Sequence, residues 1–328
     1  MRAERAARNF AIFLQALLAG SALALAAVFP GQSLEAALTG VAIWWDVLFP
    51  SLFPFFVFSE LMLGFGIVHF FGTLLDPLMR PVFRLPGPGG FVMAMGFASG
   101  YPVGARLTAQ LWDAKLLNRS ESERLAAFTT TADPIFLIGA VSVGFFREPA
   151  LAPLLALAHY GSAVLLGVML RFRKGSPASG AAPDPPPLPS GSAAPPGLLA
   201  RSFRAMHAAR IADGRPIGKL LLDGIRSGLR LMIVVGGLVV FFSVVIRVFS
   251  LAHLLPVLQA GAGAVLALFG IPEPLSAAVV SGLFEVTLGA RAAGTDAPGV
   301  PLRAQAAVAS FGLAWAGLSV HAQIMSIV

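Results

Sequence analysis

The stretch whose reading decides the architecture is GFASGYPVGAR, Gly96 to Arg106. It sits inside an uncharged run from Leu85 to Ala105, bounded by Arg84 and Arg106. Such a run is long enough to cross a bilayer, yet its middle reads Ser99-Gly100-Tyr101-Pro102. Glycine followed closely by proline breaks a helix, and backbone groups freed inside lipid have no water to bond. A break of this kind survives only where protein buries it or where it lines a cavity. The stretch therefore predicts two half-helices meeting at a tip. The other half of the chain carries SGLFEVTLGAR, Ser281 to Arg291, ending in the same Gly-Ala-Arg triplet. Paired interrupted segments at matching places in two halves point to a transporter's binding site.

Composition agrees with a membrane setting. Hydrophobic residues make up 57% of the chain and charged residues 12%, with a mean hydropathy of +0.81. A soluble domain carries roughly 25% charged residues. The expected class is an all-α polytopic membrane protein, with room in 328 residues for about eight to ten crossings of roughly 20 residues each. Cysteine is absent, which excludes disulfides and thiolate chemistry. The net charge of +7 comes from basic residues beside apolar runs, the pattern of cytoplasmic loops, so the bilayer and not nucleic acid is the expected partner. HExxH, GxSxG and GxxxxGK(S/T) are missing. Protease, esterase and ATP-driven pump therefore lack their parts, and no enzymatic activity, cofactor or metal is expected.

Arg2, Arg5 and Arg8 precede an apolar run from Phe10 to Pro30. It is longer than a signal peptide's core of roughly 7–15 residues and reads as a retained helix with a cytoplasmic N-terminus. With a polar connection from Gln32 to Thr39 it forms an N-terminal unit, residues 1–40. Residues 41–172 form a first repeat. It opens with a crossing from Val41 to Gly66, kinked at Pro50 and Pro54, with Trp44 and Trp45 at aromatic-belt level. An interfacial helix from His69 to Leu85, the first broken segment and a charged loop from Lys115 to Arg124 follow. Leu125 to Phe146 is interrupted at TTTADP, residues 129–134, and Leu151 to Leu170 is an ordinary crossing.

Residues 173–218 read as a cytoplasmic linker, its Ser/Pro/Gly/Ala-rich part disordered, within a basic block from Arg171 to Arg230. Residues 219–328 form the second repeat. It holds a crossing from Leu231 to Ile246 with Arg230 and Arg247 snorkelling at its ends, and a stretch from Val248 to Pro272 that either spans or lies flat. The second broken segment and a last crossing from Ala304 to Val328 complete it. If the broken segments enter from opposite faces, the halves are inverted-topology repeats. Each then holds a re-entrant helical hairpin and a discontinuous transmembrane helix.

The candidate site follows from the breaks. Half-helix ends at Ser99, Gly100, Tyr101 and Pro102 offer free N–H groups to an anion. An ionised group in mid-bilayer costs about 2.5–3.5 kcal/mol even on lenient scales, so Asp133 and Glu285 should face a cavity and have partners. Arg106 and Arg291 are candidates to neutralise them or to grip a substrate carboxylate; the alternative places both at the interface. Thr129, Thr130 and Thr131 could offer hydroxyls to substrate or a coupling cation, and back-bonding within the helix is the competing role; Thr287, beside Glu285, is a further candidate to bind substrate. Ser319, His321 and Gln323 cluster in the last crossing, with His321 a candidate proton relay. His159, next to Tyr160, reads as a packed, satisfied histidine.

Several motifs carry a family resemblance. PSLFPFF, LLDPLMRPVFRLPGPGGFVMAMGFASGYPVGAR, ERLAAFT, DPIFLIGAVSVGFF, LALAHYG, FEVTLGAR and GLSVHAQ resemble the YlbJ-type sporulation integral membrane proteins of the nucleoside-recognition (Gate) superfamily. The resemblance spans nearly the whole chain apart from the linker. It implies uptake of dipicolinic acid across the outer forespore membrane. The alternatives are a carrier of nucleosides or other organic anions, and a non-transporting scaffold using the basic loop. Asp133 departs from the asparagine that the family motif leads one to expect before the proline. A carboxylate there would repel an anionic substrate unless protonated or paired, which makes proton or sodium coupling an expectation. A homo-oligomer is compatible with the family.

Overall fold

A computed structural model describes residue 17 and residues 20–113, 115–173 and 197–325. Among the described residues every regular element is helical. Four stretches are long and apolar enough to cross a membrane: Pro30–Gly64, Pro149–Leu170, Ile217–Leu251 and Leu302–Met325. The expected N-terminal crossing from Phe10 lies mostly outside the described residues, although residues 20–28 are helical.

Helix α1 runs over Pro30–Gly64. The polar connection expected at Gln32 to Thr39 is instead part of this helix. Pro30 starts it at a position where a missing N–H costs nothing. Glu35 and Thr39 then fall four apart on one face, and the Thr39 hydroxyl donates to the Glu35 carbonyl at 2.9 Å. A wider π-helical turn at Trp44–Leu48 lies just ahead of Pro50 and Pro54, where the regular ladder loses donors. Trp44 also ties two helices together. Its Nε1 donates to the Met232 carbonyl at 2.9 Å, and a Cβ added at Gly236 would lie 2.7 Å from that nitrogen. Small residues thus let the long helix that carries Met232 approach α1 closely, the usual device where lipid supplies no hydrophobic drive.

Helix α2, Ile67–Leu78, continues as a π-helical turn over Met79–Phe83. Helices α3, Gly89–Ser99, and α4, Tyr101–Asp113, pack against each other across Gly100. At φ +90° and ψ 179°, Gly100 occupies backbone space that only glycine enters readily. Helix α5, Arg119–Thr129, begins with a reciprocal capping box between Asn118 and Glu121. Residues 130–133 are non-helical, and a π-helix over Phe136–Phe145 follows. The TTTADP interruption is therefore real. Helix α6, Ala152–Leu170, closes the first half.

Within the expected linker, Leu198–Asp213 forms helix α7, packed on α2; residues 174–196 lie outside the described part. The Arg215 guanidinium holds the Asp213 carboxyl below the usual carboxylate range. It bonds Asp213 at 2.7 Å and Asp223 at 2.9 Å, which pins α7 to helix α8, Ile217–Leu251. Helix α8 is longer than the crossing read from Leu231 to Ile246 and packs along the whole of α1. Helix α9, Leu254–Leu268, has 15 residues, about 22 Å, short of a roughly 30 Å core. Helices α10, Ser276–Phe284, and α11, Val286–Thr295, pack together about a break at Glu285. The last crossing is itself divided into α12, Leu302–Trp315, and α13, Gly317–Met325, by positive φ at Ala316 and Gly317.

Both arms of the first pair rest on one carbonyl. A Cβ at Gly96 would lie 2.2 Å, and one at Gly104 2.3 Å, from the Thr129 carbonyl oxygen. Gly104→Ala should therefore lower stability by about 1–3 kcal/mol through overpacking. Gly237→Ala, with nothing within 4 Å of the new methyl, should be neutral or gain up to about 1 kcal/mol of helix propensity. Thermal unfolding of the two variants in detergent checks the contrast.

Candidate functional site

The breaks in the helices leave backbone groups that side chains from elsewhere must satisfy. Asp133 Oδ1 accepts from the amides of Ile135 and Phe136 at 3.0 and 2.8 Å. It caps the helix that begins at Pro134. Glu285 plays the same part in the other half. Its Oε2 accepts from the Leu288 amide at 2.8 Å, and its Oε1 accepts from the Thr287 hydroxyl at 3.1 Å. Both carboxylates are buried. The Asp-Pro dipeptide at the cap and first helical positions is a sequence signal for this role.

The unwound stretch 130–133 is held from the side. The Ala132 amide donates to His159 Nε2 at 2.9 Å, and the Tyr160 hydroxyl donates to the Ala132 carbonyl at 2.9 Å. Consecutive residues of α6 thus satisfy both polar groups of one residue. His159 is packed as expected but only half satisfied: its Nε2 must be unprotonated to serve Ala132, and its Nδ1 is buried with no hydrogen-bond partner among the described residues. The first tip reaches the other half directly. The Tyr101 hydroxyl donates to the Leu313 carbonyl at 2.8 Å, across 212 residues of sequence. That carbonyl lies near the end of α12, where the helix runs out of its own donors.

Beside these contacts lies a cavity of about 70 Å³, room for a few waters. Its polar lining is Ser99, Gly100, Tyr101, Asp133, Glu285, Thr287, Ser319 and Gln323. Leu52 and Phe56 of α1 and Leu231, Val235 and Leu238 of α8 form the apolar wall. That wall was not anticipated, because apolar side chains in apolar helices carry no distinguishing signal. Ser319 Oγ is buried with no hydrogen-bond partner among the described residues. A buried hydroxyl without a partner costs about 1–3 kcal/mol, so a polar ligand or water there gains a ready bond.

Other expected site residues lie elsewhere. The Thr129 hydroxyl donates to the Leu125 carbonyl at 2.8 Å, the back-bonded alternative, and Thr130 sits in the unwound stretch but outside the cavity wall. Pro102 is the second residue of α4. His321 is exposed beside Trp315, with Nδ1 2.7 Å from the Gly317 carbonyl oxygen. Two residues along a helix turn a side chain by about 200°, so His321, two residues from Ser319 and two from Gln323, points away from the cavity that they line. Arg106 and Arg291 are absent from the cavity wall as well. Arg106 lines a larger space on one side, about 770 Å³, and Arg291 one of about 450 Å³ on the other.

Comparison with known proteins fits this arrangement. The chain is 44% identical over 300 residues to the sporulation integral membrane protein YlbJ of Bacillus subtilis (strain 168), covering 91% of this chain and 71% of that protein. The chain belongs to the YlbJ family. It is accordingly an integral membrane protein. A family model described as nucleoside recognition, Gate, matches residues 45–149, which hold the first tip and the Asp133 break. An uncharacterised protein of Alkalihalophilus pseudofirmus is 28% identical over 110 residues, 32% of this chain and 24% of that protein. No solved structure matches.

In this YlbJ-family chain, His159→Leu and Tyr160→Phe should each lower stability by about 1–3 kcal/mol, since each strands a buried backbone group of Ala132. Amide exchange over residues 130–133, followed by mass spectrometry, should rise in both variants while exchange in α9 stays unchanged.

Proposed function

We propose that this chain is a carrier that moves a small organic anion, dipicolinic acid, across the outer forespore membrane together with protons. The observation that carries the reading is the cavity itself. Two helix breaks far apart in sequence close around a buried space whose polar wall includes Asp133, Glu285 and the partnerless hydroxyl of Ser319. A scaffold has no need to spend buried carboxyls on a cavity. The substrate rests on the resemblance to YlbJ-type proteins.

In this reading α3–α4 and α10–α11 are re-entrant hairpins entering from opposite faces. Residues 41–172 and 219–328 are inverted repeats, with the N-terminus and residues 173–218 cytoplasmic. The order of spaces along α8 supports a path. Residues 227–234 line the Arg106 side, Leu231, Val235 and Leu238 the cavity, and residues 243–250 the Arg291 side. Arg230 and Arg247 lie roughly 26 Å apart along the helix, close to the roughly 30 Å of a hydrocarbon core.

Charge supports coupling. A doubly charged anion would meet two carboxyls and no basic side chain in the cavity wall. Like charges brought into one space repel, which supports a proton arriving with the substrate. Because both carboxyls cap helix starts, their protonation also bears on the breaks that shape the cavity. The same lack of a base favours a second reading, a nucleoside carrier, since hydroxyls and carboxyls suit ribose and base donors.

The test is uptake of labelled dipicolinate by proteoliposomes. Saturable uptake stimulated by an inward proton gradient is expected, with no response to sodium. Gly100→Leu, which forces a side chain into positive φ beside Asp133, should abolish it. Glu285→Gln, which keeps a capping oxygen, should retain part of the uptake and lose the gradient dependence. Uptake of uridine in place of dipicolinate would move the assignment to the nucleoside reading.

A further inference from the structure

The acids and the bases of the expected site have separated. Asp133 and Glu285 line the cavity; the arginines line the spaces beyond it. On one side Arg106 of α4 and Arg230 of α8 face a space of about 770 Å³, walled also by Gln110, Ser227 and Glu60. This space adjoins the cavity, since Phe56, Ser99, Leu231 and Gln323 line both. Neither arginine makes an ion pair or hydrogen bond among the described residues, although Glu60 shares the wall. On the other side Arg247 and Arg291 share their space with Glu35 and Asp296, so the charges balance there. One vestibule is therefore net positive and the other is not.

We propose that the Arg106–Arg230 vestibule is an anion-docking station, which holds an organic oxyanion before it reaches the cavity. The place on a path rests on the carrier reading; the anion site does not. Planar guanidinium forks bind carboxylate or sulfonate oxygens in pairs, and two of them on the wall of one space suit an organic oxyanion. The station also settles a conflict of charge. The anion is held where the protein offers cations, and it meets Asp133 and Glu285 only on moving past Ser99 and Gln323.

The probe is stilbene-2,2′-disulfonate, which stays a dianion at any working pH and is too large for a 70 Å³ cavity. Binding to the full chain in phosphatidylcholine nanodiscs is measured by fluorescence. Salt-sensitive binding is expected, weakened about tenfold or more by Arg106→Gln and by Arg230→Gln, as loss of a charge-assisted bond predicts. Arg106→Lys should retain part of the affinity, and Arg247→Gln at the opposite mouth all of it. Equal binding by the Arg106→Gln/Arg230→Gln double variant would overturn the station, as would equal weakening by Arg247→Gln. Displacement by phosphatidylglycerol added to the discs would overturn it too, giving the arginines to a lipid headgroup. Dipicolinate uptake by the wild-type chain is read in parallel. Arginine-dependent disulfonate binding without uptake removes the carrier and keeps the station, and the reverse result removes the station alone.

Discussion

Backbone that leaves the helix inside a membrane protein must find partners in the protein, and the rest of this structure follows from that requirement. The chain breaks its helices at Gly100, at residues 130–133, at Glu285 and at Ala316–Gly317. Asp133 and Glu285 take up the amides that follow two of these breaks. His159 and Tyr160 hold both polar groups of Ala132, and Tyr101 reaches the carbonyl of Leu313. The side chains that make the breaks tolerable are largely those that line or buttress the cavity. Structural need and binding chemistry coincide there.

That coincidence gives the two acids a double role. A carboxylate at a helix start is stabilised by free amides and by the helix dipole, whatever it binds. Asp133 and Glu285 face the cavity as well as the amides they cap, so one carboxyl serves the break and the wall of the space beside it.

The arginines show how far local reasoning reaches. The triplets Gly104-Ala105-Arg106 and Gly289-Ala290-Arg291 lie inside the second half-helices, which run on to Asp113 and Thr295, and each arginine faces a flanking space and not the cavity. Spacing places a residue on a helix at a given distance from the break. Which way its side chain turns depends on the neighbouring helices, here α1 and α8. His321 fails for the same reason: it shares a short stretch with Ser319 and Gln323 but projects from another face. The break at Ala316–Gly317 went unread because a single glycine in an apolar helix is usually tolerated.

The sequence by itself determined the class, the breaks and the kinds of group beside them. An apolar composition, Gly100 before Pro102, and Asp133 before Pro134 act through local chemistry that no fold can remove: hydrophobicity, allowed φ and missing N–H groups. That Ser99, Asp133, Glu285, Thr287, Ser319 and Gln323 would gather at one cavity was legible because polar groups in apolar runs are costly unless clustered. Only the tertiary structure decided that the two tips share one cavity, that α1 and α8 wall it, and that the acids and the arginines occupy separate spaces. Those outcomes rest on contacts between residues far apart in sequence, such as Tyr101 with Leu313, 212 positions on, and Trp44 with Met232, 188 positions on. Their energies depend on the assembled packing and on no local pattern.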